Sequence, residues 1–597
     1  MSKKVIYCTS FLLRLDLAVI ILLSLACTGK QGPVIGLKAE FYQGQVFLTW
    51  QEPPGEHGGT FNVYMSGKPI KEKNLDLALL LAKRIEAHSA RDWWHDPRTY
   101  FKKDSLAEPA GFVIREGGKP LDPSSGLFVH TVGQKEPEKG YYAITITADG
   151  VENRTLVAGS NSLKQPVNQK PMTGQPIWLG EPGKKPSPGS AQGLPVIFSL
   201  HGRAGSEPVS WLAFGSKETG WREGLPFKFH AVLKDDHLLL VPTDRTWISR
   251  TLSESWDPRD HFSPVIDTFW YGYNDHIYDK GLMASGTPVN YTERRNLWII
   301  SWAKNYFQPD TNRIVLEGGS MGGCGTLSWG LRHPELFSAL MAAVPLVGYF
   351  TAEWGGSEKR LTPFCGLLDR KDSDGVILRE RMDSRKLVED AAKNGLDLPF
   401  LVISNARQDS SIPWRPNPRY YRTLNDSRQG FIAGWDNGSH ANCMEKADPW
   451  FKKYIDPKTL FLFSLKESFP ALSNFSLNDN PGSGDAKDGD LVGYMNFGLE
   501  WHNILDEPEQ YALTLSVKAL FEKSGKKRLP AVVDVTLRRV QRFILHPGQE
   551  VILIDKTLSG REIIRKKSRA DHTGHITFEK FLLTGPEGNR LVVLKGE

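Results

Sequence analysis

The chain has 597 residues, 40% of them apolar and 24% charged, which is globular composition with room for roughly three to four domains; a disordered or low-complexity chain is excluded. Its net charge is only +6, and no basic stripe with interleaved aromatics occurs, so nucleic acid is not an expected partner. Beyond residue 27 only Cys324, Cys365 and Cys443 remain, too few for a disulfide scaffold.

The chain opens with Lys3, Lys4 and Arg14, followed by a mostly apolar run from Leu17 to Ala26. That run is too short to span a bilayer comfortably and fits a secretory h-region. Its end, Leu23-Ser24-Leu25-Ala26-Cys27, resembles a bacterial lipobox, although Ser24 stands where that pattern prefers Leu. Residues 1–27 are therefore expected to be a lipoprotein-type signal peptide with Cys27 as the lipidated residue; an ordinary signal peptide is the alternative. The resemblance implies an exported protein anchored to a membrane of a bacterial cell envelope. Without residues 1–27 the charge is about +4.

Within residues 28–168, Gln45 to Trp50 and Gly140 to Thr147 read as strands, the second ending at the turn Asp149-Gly150. Leu48-Thr49-Trp50 followed by Pro53-Pro54, with a late Tyr-x-Ile-x-Ile, resembles a fibronectin type III domain. Tyr142 would then be its corner tyrosine. Between the two strands, Leu75 to His88 is expected to be a helical insertion.

A Pro/Gly/Lys-rich stretch from Gly180 to Gly193 leads into the central domain, residues 172–465. Strand candidates are Pro195 to Leu200, His237 to Val241, Ile314 to Leu316, Leu340 to Leu346, Phe400 to Ile403 and Phe431 to Trp435. Helical stretches such as Arg295 to Phe307 fall between them. This alternation predicts an α/β fold with a mostly parallel sheet, whose ligands sit beyond the carboxyl ends of its strands.

The most informative stretch follows Ile314-Val315-Leu316: Glu317-Gly318-Gly319-Ser320-Met321-Gly322-Gly323, with a short helix over Thr326 to Leu331 after it. With 56 glycines in 597 residues, about one serine in a hundred carries flanking glycines at both positions by chance, so the context carries the weight. Strand, tight turn and helix in that order place the Ser320 hydroxyl at a helix N-terminus, where developing negative charge is favoured. A serine hydroxyl needs a base to take its proton, and the base needs an orienting partner. Asp409 follows the strand Phe400 to Ile403, and His440 follows the strand Phe431 to Trp435. Asp436, on the loop of His440, is the rival acid. The run Val196 to Leu200 leads into His201-Gly202-Arg203, where the N–H of Arg203 is expected to join that of Met321 as an oxyanion hole. His201 is expected to hold that turn.

Asp310 to Ile314 before Gly-Gly-Ser-Met-Gly-Gly, and His333-Pro334-Glu335-Leu336-Phe337 after it, resemble secreted esterases of the α/β-hydrolase family, near feruloyl and acetyl-xylan esterases and polyhydroxybutyrate depolymerases. The order Ser320, Asp409, His440 is that family's order. The resemblance, over Pro195 to about Ile455, implies Ser320 as nucleophile, His440 as base and Asp409 as its partner. It implies a polysaccharide-linked or small ester as substrate and no cofactor. A prolyl-oligopeptidase-like peptidase, a polyester depolymerase and a non-catalytic surface binding protein on a hydrolase scaffold are the alternatives.

Most of the 17 tryptophans lie between Trp178 and Trp450. Trp247 and Trp270 are candidates for an aromatic substrate platform, a packed lid core being the alternative. Cys324 and Cys443 are either bridged or buried free thiols. Past Pro470, residues 470–597 read as a β-rich accessory domain, with strands at Tyr511 to Val517, Ala531 to Val535 and Val551 to Ile554. The run Asp479, Asp485, Asp488, Asp490 has the oxygen donors for Ca²⁺ but not EF-hand spacing, so a solvated loop is expected. No metal-ligand motif appears, and no catalytic metal is expected.

Overall fold

A computed structural model describes residues 32–596 except 43, 54–58, 86, 93–109, 112–113, 115–117, 134, 172–174, 179–186, 203–227, 248–264, 277–284, 349–360, 362–364, 446, 448, 486 and 518–528. Cys27 and Arg203 thus lie outside the described residues. Those that are described form two compact units, one of residues 32–171 and one of residues 175–596.

The first unit is built from short alternating strands. A three-stranded sheet has the order β1 (Ile35–Tyr42), β2 (Gln45–Gln51), β5 (Gly126–Thr131). A second sheet runs β7 (Val167–Asn168), β6 (Lys139–Ala148), β3 (Thr60–Ser66), β4 (Leu79–Ile85). Inward residues such as Val46, Leu48, Trp50, Phe61, Val63 and Ile144 are buried. Trp50 and Phe61 meet with ring centroids 5.3 Å apart. Tyr142 is wholly buried; its hydroxyl donates to Gln169 Oε1 (2.5 Å) and lies 2.8 Å from His130 Nδ1.

The helix expected over Leu75 to His88 is not there. A 3₁₀ turn over Glu72–Leu77 ends before β4, which pairs antiparallel with β3. Ala82 and Ile85 point inward while Leu79 is 53% exposed, and Arg84 and His88 take left-handed backbone conformations that a helix cannot accommodate. Pairing with β3 overrode local propensity.

The second unit centres on a nine-stranded mixed sheet in the order β8-β10-β11-β9-β12-β13-β14-β15-β17. Its strands are β8 (Gln175–Trp178), β9 (Val196–Leu200), β10 (Lys228–Leu233), β11 (Leu238–Pro242), β12 (Ile314–Gly319), β13 (Ala339–Ala343), β14 (Phe400–Ala406), β15 (Phe431–Asp436) and β17 (Gly493–Met495). Strands β11, β9, β12, β13, β14 and β15 run parallel in sequence across the sheet; β10 and β17 are antiparallel to their inner neighbours. The parallel run requires crossovers, supplied among others by α1 (Tyr291–Phe307), α2 (Met321–Arg332), α3 (Ser384–Lys393) and α4 (Asn417–Asp426). Central strands such as β14 are buried along their full length, as expected of strands covered on both faces.

Beyond this sheet, β16 (Phe469–Ser473), β20 (Ala531–Arg538) and β23 (Thr577–Leu583) form a three-stranded sheet. A five-stranded sheet has the order β18 (Leu499–Glu507), β19 (Gln510–Val517), β24 (Asn589–Lys595), β21 (Glu550–Thr557), β22 (Glu562–Arg569). Tyr511, Leu513, Val533, Val535, Phe581 and Leu591 lie in one buried cluster of these strands. No gap in structure falls near residues 465–470: β17, later in sequence, completes the nine-stranded sheet, and Arg539 Nη1 reaches the carbonyls of Ser338 and Ser464 (both 3.2 Å).

Candidate active site

The ends of three parallel strands, β12, β14 and β15, deliver the candidate residues to one place. Strand β12 runs into Ser320, whose φ of 57° and ψ of −121° are a conformation side-chain-bearing residues rarely hold. The turn survives because its neighbours lack side chains. A Cβ on Gly318 would lie 2.5 Å from the Gly322 carbonyl carbon, and one on Gly322 would run into the Leu200 carbonyl. Ser320 N–H donates to Ala343 O (2.9 Å), fixing the turn to β13, and Cys324 N–H donates to Ser320 O (2.9 Å) to start α2.

His440 follows β15 and Asp409 follows β14, as neighbouring parallel strands allow. His440 Nε2 is 2.9 Å from Ser320 Oγ, and Nδ1 is 2.6 Å from Asp409 Oδ2. The other Asp409 oxygen accepts the N–H groups of Ser411 (2.7 Å) and Ile412 (2.8 Å). Its side chain is 1% exposed and that of His440 28%. A carboxylate with both oxygens engaged holds the ring so that Nδ1 carries the proton and Nε2 faces the serine. The two loops are also joined through their backbones: Arg407 N–H donates to Asp436 O (2.8 Å) and Gln408 N–H to Gly438 O (3.0 Å). Asp436, the rival acid, accepts from Gly438 N–H on its own loop (3.0 Å), which bends the chain toward His440.

On the other side of Ser320, the turn after β9 approaches closely: a Cβ on Gly202 would be 3.6 Å from that of Ser320. His201 Nδ1 donates to Gly202 O (2.7 Å), and its Nε2 accepts from Asp244 N–H (2.8 Å), so the ring ties this turn to the end of β11. Met321 opens α2, where the first N–H groups have no intrahelical acceptor.

Trp270 is not an aromatic platform. It is wholly buried, edge-on to His201 at 4.8 Å, with its ring against the Gly325 backbone of α2. A ring without an exposed face cannot stack on a sugar. Trp247 ends a short strand, Arg245–Trp247, and its side chain lies outside the described residues. What places Trp270 is Asp244, a fully buried carboxylate that accepts from Thr268 N–H (2.9 Å), Trp270 N–H (3.0 Å) and the Thr268 hydroxyl. Burial, with the charge of Asp267, pushes its pKa up to about 7 against those hydrogen bonds. The sequence signal for Asp244, an acid just past a buried strand, is present but shared by many surface loops.

Cys324, Cys365 and Cys443 are not joined in disulfides, and Cys324 Sγ accepts from Leu346 N–H (3.3 Å). The carboxylates of the acidic run serve backbone groups: Asp479 accepts from Tyr494 N–H, Asp485 from Lys487 N–H, Asp488 from Ser483 N–H and Asp490 from Asn480 N–H. Among the described residues no group of three or more His, Cys, Asp or Glu is placed to hold a metal.

No family model and no curated protein matches the chain. Among solved structures, similar ones include an S-formylglutathione hydrolase from Agrobacterium tumefaciens, 16% identical over 47% of this chain and 88% of that one, TM-score 0.29. A ferulic acid esterase is 15% identical over 46% of this chain and 85% of that one, TM-score 0.26. A prolyl endopeptidase is 13% identical over 72% of this chain and 53% of that one, TM-score 0.29. Likeness at such scores carries no weight for chemistry, which rests on the geometry of the site.

Proposed function

We propose that the second unit is a serine hydrolase of the α/β-hydrolase type that cleaves carboxylic esters, with Ser320 as nucleophile. The observation that carries this reading is one continuous relay, Ser320 Oγ to His440 Nε2 at 2.9 Å and His440 Nδ1 to Asp409 at 2.6 Å, on a turn whose backbone strain serves to present the hydroxyl. In the proposed reaction His440 Nε2 takes the Ser320 proton as Oγ attacks the ester carbonyl. The oxyanion accepts from Met321 N–H and, in the family's pattern, from Arg203 N–H. Collapse expels the alcohol, which leaves with the proton held on His440. Water, deprotonated by the same ring, then attacks the acyl-enzyme and releases the acid. Asp409, bonded to Nδ1, orients the ring and stabilises the imidazolium.

A carbohydrate-linked acetyl or feruloyl ester is the substrate class we favour. It rests on the motifs at Asp310 to Ile314 and His333 to Phe337; buried Trp270 gives it no support. We also read the first unit as fibronectin type III-like, on its sheets of order β1-β2-β5 and β7-β6-β3-β4, and Cys27 as the lipid-bearing residue of an exported, envelope-anchored chain. Turnover of p-nitrophenyl acetate, methyl ferulate, acetylated xylan and a prolyl peptide, each beside Ser320→Ala, tests the reading. Ester cleavage lost in the variant supports it. Cleavage of the peptide alone would replace it with a peptidase, and no cleavage by folded protein would leave a binding protein.

A further inference from the structure

The side chain that braces the acid loop comes from two residues before Asp409. The Arg407 guanidinium is buried (4% exposed) and reaches into the loop between β16 and β17. There Nη1 donates to Asp490 O (3.0 Å) and Nη2 to Asp488 O (2.8 Å) and Asp485 O (3.5 Å). The guanidinium lies over the Trp414 ring, 5.3 Å from its centroid. Three carbonyls converging on one cation is an arrangement a metal ion could occupy; here the acid loop supplies the cation itself.

The described residues of the acceptor loop are closely packed and hydrogen-bonded. Gly482 and Gly489 both take φ of +76°, and a Cβ on Gly489 would lie 2.5 Å from Gly482 N. Arg422 Nη1 donates to Gly482 O (3.0 Å), and the loop's aspartates cap its own N–H groups. The carbonyl of Asp490 also accepts from Trp435 Nε1 (2.8 Å), on the strand that leads to His440. The acid loop and the strand leading to the base therefore share one acceptor, the Asp490 carbonyl, about 80 residues later in sequence than Arg407.

We propose that Arg407 is a positioning residue, and that the 479–490 loop is a clamp that sets the Asp409–His440 contact. Resting on the triad reading above, this makes a segment past the central domain part of the catalytic apparatus. The acidic run serves the reaction by presenting carbonyls to an arginine. Removing the guanidinium frees the acid loop at its root, and displacement of about 1 Å at Asp409 is enough to cost on the order of 100-fold in rate.

The test compares wild type, Arg407→Ala and Arg407→Lys in full-length protein, by fluorophosphonate labelling rate, by kcat and KM on a p-nitrophenyl ester, and by thermal melting. Arg407→Ala is expected to melt cooperatively, to lose about 10- to 100-fold in kcat and labelling rate with KM within about 2-fold, and to regain activity in millimolar guanidinium. Arg407→Lys, which keeps a donor cation, should fall between. If Arg407→Ala does not fold, Arg407→Lys decides: wild-type kcat overturns the proposal and a reduced kcat at unchanged KM upholds it. A folded Arg407→Ala with wild-type kcat overturns it too. Wild type that resists the probe defeats the triad reading itself, and the clamp with it, which is distinct from labelling that is indifferent to Arg407.

Discussion

At the scale of single residues, the site divides the work between two aspartates that sequence spacing alone barely separates. Asp409 touches His440, while Asp436 shapes the loop that carries it. Asp409→Asn is expected to lower kcat by about 10⁴-fold at unchanged stability, since the wrong tautomer then faces the serine. Asp436→Asn keeps the acceptor oxygen for Gly438 N–H and should cost less than about 10-fold. Parallel measurement of kcat and melting temperature checks both. Ser320 was legible in the sequence because its geometry is local: four glycines within three positions of it mark a turn where side chains do not fit. Arg407 and Asp244 were not legible, because most of their partners are backbone groups tens of residues along the chain, and backbone carries no sequence identity. Trp270 misled for the same reason. Its burial follows from the Asp244 clamp on Thr268 and Trp270, and nothing in an aromatic-rich segment announces it.

At the scale of elements, helix α2 aims Ser320, and its far end is locked to α1. Arg332, in the last turn of α2, and His333, just past it, both bond Glu293, with His333 Nε2 at 3.0 Å. Burial works to raise the pKa of Glu293, but the charge of Arg332, the His333 hydrogen bond and the Arg332 hydrogen bond outweigh it and hold it at about 2. A carboxylate depressed from its ordinary 4.5 contributes stability above that pH and loses it as pH falls toward 2. The expected contribution is roughly 3 kcal/mol. Urea denaturation should therefore show wild type weakening between about pH 4.5 and 2, and Glu293→Gln should flatten that slope. At neutral pH the variant should be less stable by about 3–5 kcal/mol, because Arg332 is left buried with its charge uncompensated. The expected helix over Leu75 to His88 failed at this same scale, where a strand register with β3, and not local periodicity, decided the element.

At the scale of the whole molecule, the chain past Pro470 is continuous with the sheet that carries the site. Strand β17 pairs with β15, Phe469 and Phe497 join a buried cluster with Phe400 and Phe463, and Arg538 bonds Asp397 (3.2 Å). Ending the chain at residue 465 removes these together. The shortened protein is expected to lose its cooperative melt and to precipitate on expression, whereas an independent catalytic domain would stay soluble and active; expression and calorimetry of the shortened chain distinguish the two. The α/β alternation from Pro195 onward was readable because buried parallel strands are apolar throughout. The dependence of the site on later strands was not, since pairing order leaves no local mark.

The most direct measurement is intact-mass spectrometry of the full-length protein after exposure to diisopropyl fluorophosphate, with peptide mapping of the adduct. A hydroxyl relieved of its proton by His440 gives one adduct per chain, on Ser320, and none in Ser320→Ala or His440→Ala within the same time. Folded wild-type protein that stays unmodified, or that carries its adduct on another side chain, would contradict it.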